Sequence, residues 1–158
     1  MLHALLLAVA LPTYGPLPQP SASENLAPGM RLPVAPGEAL IVNSGSTNRA
    51  GYRLRVYDTG WTALQQGDVP LRKRVSLALV KRFFADVRAA GPLDELQTAR
   101  CMKSMSFGSS TQIAYRGKIS RDVSCGGTSQ AVRALEADAL ALADAAGVSM
   151  LPARTREL

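Results

Sequence analysis

Histidine is almost missing from this sequence. Its one copy is His3, and the only two cysteines are Cys101 and Cys125. Ser-His-Asp and Cys-His sites need imidazole as the proton shuttle, so a mature chain starting beyond His3 could build neither. Histidine-ligated zinc is excluded on the same ground, and two cysteines alone do not close a tetrahedral metal site. Aromatic residues are sparse at 5%, which leaves Leu, Val and Ala to supply most of the 47% hydrophobic share. The longest apolar run, "ALLLAVAL" from Ala4 to Leu11, breaks at Pro12. That is far short of the roughly 20 residues of a membrane-spanning helix. Acidic side chains are also outnumbered, 12 against 18 basic ones, for a net charge of +6.

What is present fits an exported chain. A short apolar run followed by "PTYGPLPQPSAS" has the layout of a secretory signal, and the small residues Ser21 and Ser23 place cleavage near Ser23, with Gly15 as the other candidate. The segment ahead of the run holds no Lys or Arg, only Met1, Leu2 and His3, which leaves the start codon and the length of the signal open. No cysteine lies near the end of the run, which argues against a lipid anchor. Seven of the ten prolines fall between Pro12 and Pro36, the composition of an extended leader. A length of 158 residues suits one domain. The expected organisation is therefore a signal peptide over 1–23, a flexible leader over 24–37, a single α+β domain over 38–150 and a tail over 151–158. The expected compartment is secreted or periplasmic.

Within the domain, "EALIVN" (Glu38 to Asn43) reads as a short strand closed by the loop "SGSTNRAG". "YRLRVY" alternates, with Tyr52, Leu54 and Val56 on one face and Arg53, Arg55 and Tyr57 on the other. "DTG" is turn chemistry, "WTALQQ" (Trp61 to Gln66) is its hairpin partner, and "QGDVP" breaks the pattern. Val75, Leu79, Val80, Phe83, Phe84 and Val87 form an apolar arc that predicts a helix over Val75 to Ala90, stopped by Gly91 and Pro92. The order then repeats. Strands are expected over Thr111 to Tyr115 and Lys118 to Val123 around a turn at Arg116 and Gly117. A helix is expected from about Ser129 to Ala146, with Thr128 or Ser129 as N-cap. The fold class that follows is α+β: a small antiparallel sheet in hairpin-helix-hairpin-helix order, with both helices on one face and one disulfide.

The disulfide expectation rests on compartment. Two cysteines in an exported chain are normally paired, and Cys101 and Cys125 lack the C-x-x-C spacing of a redox site. The run between them, "KSMSFGSST", is rich in hydroxyls, and a serine of the 104–110 loop with Lys103 or Lys118 as base defines an alternative, a weak serine/lysine hydrolase. The run matches neither G-x-S-x-G nor S-x-x-K. "GYRLRVY", "VKRFFADVRAAGPLDEL" and "ARCMKSMSFGSSTQIAYRGKISRDVSC" together resemble an uncharacterised family of secreted bacterial cell-envelope domains. The likeness covers about Leu40 to Gly147, and its most specific element is C-x-K-S-x-S-F-G-x-S-T. It implies a bacterial origin and a Cys101 to Cys125 bridge, and it implies no activity.

The charge supplies the functional expectation. With the helices on the Leu54, Val56, Ile113 and Tyr115 side, the other sheet face would present Arg53, Arg55, Tyr57, Arg116 and Lys118 as a basic platform. The expected function is a non-enzymatic binding or structural module of the envelope, recognising an anionic polymer, a lipid head group or an envelope protein. No cofactor or metal is expected, and nucleic acid is disfavoured because export removes the protein from it.

Overall fold

The computed structural model describes residues 32–67, 70–127 and 129–149. The expected signal peptide and its cleavage site, most of the leader, Thr128 and the C-terminal tail lie outside them. Six strands form one antiparallel sheet: β1 (Glu38–Asn43), β2 (Tyr52–Tyr57), β3 (Trp61–Gln65), β4 (Pro70–Arg74), β5 (Thr111–Tyr115) and β6 (Lys118–Ile119). Helix α1 (Leu77–Ala89) follows β4, and α2 (Gln130–Ala146) ends the fold. The spatial order is β4-β3-β2-β1-β5-β6, so β1 sits in the middle and joins the two halves of the chain.

Alternation decides which face is covered. Ala39, Ile41, Leu54, Val56, Leu64, Ile113 and Tyr115 point to one side, where they share a core with Val80, Phe83, Phe84 and Val87 of α1 and Val132, Leu135, Ala139, Leu142 and Ala143 of α2. Both helices therefore lie on one face, as the pattern predicts. Phe84 is the hinge of this packing, with edge-on ring contacts to Phe83 at 5.5 Å and Tyr115 at 5.9 Å.

Local chemistry sets the ends of the elements. Arg116 and Gly117 both adopt positive φ, 49° and 76°, the two-residue turn whose twist suits a hairpin. Helix α2 stops at Gly147, with φ of 93°, where Val148 N–H reaches the Ala143 carbonyl at 2.9 Å and Gly147 N–H the Asp144 carbonyl at 2.9 Å. This is the paired hydrogen-bond closure that glycine permits after a helix. Ser129 occupies the N-cap position of α2, but its side chain makes no capping bond.

Three details differ from the sequence expectation. Strand β4 falls where the pattern breaks: "PLRKR" shows no apolar alternation because every residue of this edge strand is exposed, and proline is tolerated there because an edge needs no second ladder. The chain order is thus four strands, helix, hairpin, helix. The second strand of the later hairpin ends at Ile119 rather than Val123. Beyond it, one backbone bond remains, from Ser120 N–H to the Ile113 carbonyl at 2.8 Å, and side chains accept the other N–H groups: Ile113 N–H donates to Ser120 Oγ at 2.9 Å and Thr111 N–H to Asp122 Oδ1 at 2.9 Å. Asp122 also accepts from Ser124 N–H at 3.0 Å, which turns the chain into a short 3-10 turn at Val123–Cys125. The folded part starts before Gly37, since the Pro33 carbonyl accepts from Gly117 N–H at 2.8 Å and the Pro36 carbonyl from the Tyr115 hydroxyl at 2.9 Å.

Candidate ligand-binding face

The sheet face away from the helices is organised by register into three transverse rows. Nearest the Asp58 to Gly60 turn lie Glu38, Tyr57, Trp61 and Arg74. The middle row runs Ile119, Ala114, Leu40, Arg55, Ala63, Arg72. The third runs Gln112, Val42, Arg53, Gln65, Pro70. The rows divide the face in two. Toward β6 it is apolar, with Leu40 and Ala114 almost fully buried although neither belongs to the helix-side core. Toward β4 it is basic and aromatic, with Arg53, Arg55, Arg72 and Arg74 beside Tyr57 and Trp61.

Individual contacts refine this picture. Arg55 is partly buried and ion-paired with Glu38 on the neighbouring strand. Arg74 holds its guanidinium carbon 5.1 Å from the centre of the Trp61 ring, a cation–π arrangement. Next to Arg53 the sheet end opens into a recess of about 330 Å³ between Val42, Gln65, Ser44, Gly51 and Gly67.

Of the five residues proposed from sequence, Arg53, Arg55 and Tyr57 share this face. The other two do not join them. Lys118 pairs in register with Tyr115, which faces the helices, and its ammonium meets Asp94 at 2.7 Å. The hydrogen bond to Asp94 raises the Lys118 pKa, and the same bond holds the Asp94 carboxyl below its usual value. Arg116 lies in the turn, its guanidinium 5.3 Å from the Tyr115 ring. Sequence reasoning missed Arg72 and Arg74 because β4 carries no periodic signal, and it placed Trp61 on a strand without assigning it to this face. A run of three basic residues after proline, at hairpin distance from "WTALQ", was the available clue.

The hydroxyl-rich loop is built differently. Cys101 and Cys125 form the expected disulfide, with Cα atoms 5.4 Å apart. Beside it Lys103 uses its three N–H donors on Asp122 Oδ2 at 2.7 Å, Ser124 Oγ at 2.5 Å and the Ser109 carbonyl. The hydroxyl it meets is thus Ser124, and no serine hydroxyl of the 104–110 run lies within hydrogen-bonding distance of it among the described residues. Burial opposes ionisation of Asp122, but hydrogen bonds from Lys103, Ser124 and the Thr111 and Ser124 N–H groups outweigh it and hold the carboxyl below its usual value. The arrangement is a polar tie between loop and 3-10 turn.

Among the described residues no group of His, Cys, Asp and Glu could hold a metal ion, and no helix is long and apolar enough to cross a membrane. No known protein family, curated protein or solved structure matches the chain.

Proposed function

We propose that this chain is an exported, non-enzymatic module of the bacterial cell envelope that binds an anionic polymer through the basic half of its open sheet face. The observation that carries the reading is the gathering of Arg53, Arg72, Arg74 and Trp61 on a face that neither helix covers. Guanidinium groups pair with carboxylate, sulfate or phosphate in a fixed fork geometry, and a flat aromatic ring beside them accepts sugar or base faces. Three β-strands set these groups on a rigid grid, so a repeating anionic chain meets them without ordering a loop first. Export is supported by the disulfide, which oxidising compartments favour.

Binding to dextran sulfate and to polyphosphate, followed by titration calorimetry across a salt series, tests the reading. Affinity should fall steeply as salt rises, and Arg72→Glu/Arg74→Glu should remove it. These positions are better than Arg55, whose replacement by Glu would set two carboxylates side by side with Glu38. Binding that ignores both salt and the double variant would reject this face. Peptide mapping of secreted protein should give an N-terminus near Glu24.

A further inference from the structure

Apart from Val34, which stands alone ahead of β1, the most exposed large apolar side chains of the described residues share one short loop. Met102, Met105 and Phe107 stand on one loop at 103%, 86% and 68% exposure. Such groups are ordinarily tolerated on segments that can fold back, yet this loop is fixed at both ends and along its length. The disulfide and the Lys103 to Asp122 ion pair hold its start. Thr47 and Asn48 donate their N–H groups to the Met105 and Ser106 carbonyls at 3.1 and 3.3 Å, and Ser44 N–H donates to the Ser110 carbonyl at 2.9 Å. A Cβ at Gly108 would overlap the Lys103 side chain and the Ser104 carbonyl, so the closure admits only glycine. The fold therefore holds three hydrophobic side chains out in water.

Apart from Asp122, which is paired with Lys103, the charges along the neighbouring segments are basic. From Leu96 to Arg121 and from Ala39 to Tyr57 there is no acidic residue. Arg49, on the loop that braces the tip, and Arg100 and Arg121, flanking its base, are all exposed. All three side chains project into solvent, with Ser104 and Ser106 between them. A protein partner would need a matching groove for each side chain, whereas a fluid bilayer accepts protruding side chains of any shape and offers anionic headgroups to the arginines around them.

We propose that the 102–107 loop is a membrane-insertion tip: Met102, Met105 and Phe107 enter the headgroup region of an anionic lipid bilayer, with Arg49 and Arg100 on the phosphates. The tip lies at the sheet end that carries Asn43 and Thr111, so docking would leave the basic β4 edge accessible to a second ligand.

Co-sedimentation of the full oxidised chain with phosphatidylglycerol/phosphatidylcholine vesicles, against phosphatidylcholine alone, tests this. Met102→Ser/Met105→Ser/Phe107→Ser should lower partitioning at least about tenfold while leaving dextran sulfate binding unchanged. The comparison cancels any contribution from the apolar run Ala4 to Leu11, which both proteins carry, and equal partitioning would overturn the proposal. Independently, Phe107→Trp in a Trp61→Phe background should show a blue shift on anionic vesicles and quenching by brominated lipid. Emission that stays red and unquenched overturns it. So does a dimer that the triple variant dissociates while vesicle binding is unaffected, since that would make the tip a contact between copies.

Discussion

Removing the disulfide through Cys101→Ser/Cys125→Ser should cost about 3.5 kcal/mol. The number follows from the sequence separation of 24 residues and the entropy of closing such a loop in the unfolded chain. Little of the cost should come from the folded side. The two bridged segments stay joined by Ala99 N–H to the Gly126 carbonyl at 3.0 Å and by Lys103 to Asp122 at 2.7 Å. The double variant should therefore keep a native circular dichroism spectrum and lose stability mainly because its unfolded state expands. Urea unfolding followed by Trp61 fluorescence should give a lower midpoint together with a larger m-value, as more surface is exposed on unfolding. Against a typical domain stability of about 5–15 kcal/mol the loss is severe but survivable. A loss under about 1 kcal/mol would refute the loop-entropy argument. A variant without native structure would refute the claim that the polar tie suffices to hold the segments.

Truncating Phe83→Ala, a fully buried ring between α1 and the core, should cost about 3–5 kcal/mol in the same assay. Asp122→Ala removes the acceptor for two backbone N–H groups and for Lys103, a loss of about 2 kcal/mol. Because the folded Asp122 pKa is depressed, its contribution is present above the unfolded carboxylate pKa and disappears as pH falls through the folded value. Urea midpoints of wild type and variant should therefore converge in acid. Asp138 behaves oppositely. Burial first, and then the neighbouring Asp86, raise its pKa despite the pair with Arg82, and its Oδ2 is buried without a partner among the described residues. Its contribution is therefore full below the unfolded pKa and lost as pH rises through the folded one. The stability of Asp138→Asn relative to wild type should grow between acid and neutral pH, and a constant difference would sink this account.

The fold was legible wherever burial imposed a period. Tyr52, Leu54 and Val56 alternate because one strand face meets the helices, and Val80, Phe83, Phe84 and Val87 recur because one helix face meets the sheet. Where both faces of an element are wet there is no period to read, and β4 was lost for that reason. The early end of β6 was hidden differently. Ser120 and Asp122 are ordinary polar residues in sequence, and only three-dimensional placement makes them acceptors for the outer edge of β5. The candidate face was half legible. Strand alternation put Arg53, Arg55 and Tyr57 together, but extending the same logic across a turn assigned Arg116 and Lys118 to the wrong company, because register at Tyr115 puts Lys118 on the helix side.

The central position of β1 also bears on the order of assembly. Its first neighbour, β2, follows within one loop, while its second, β5, lies beyond two further strands and α1 in the chain. A chain emerging from its N-terminus can form the β1-to-β4 meander early, whereas the β1 to β5 ladder must wait for a distant segment and pays a larger closure entropy. Throughout that interval "ALIV" offers an unpaired edge from the most apolar strand of the sheet, the kind of edge along which partly folded chains join one another. Substitutions that delay the docking of β5 should therefore reduce the yield of folded protein before they change the stability of what has folded.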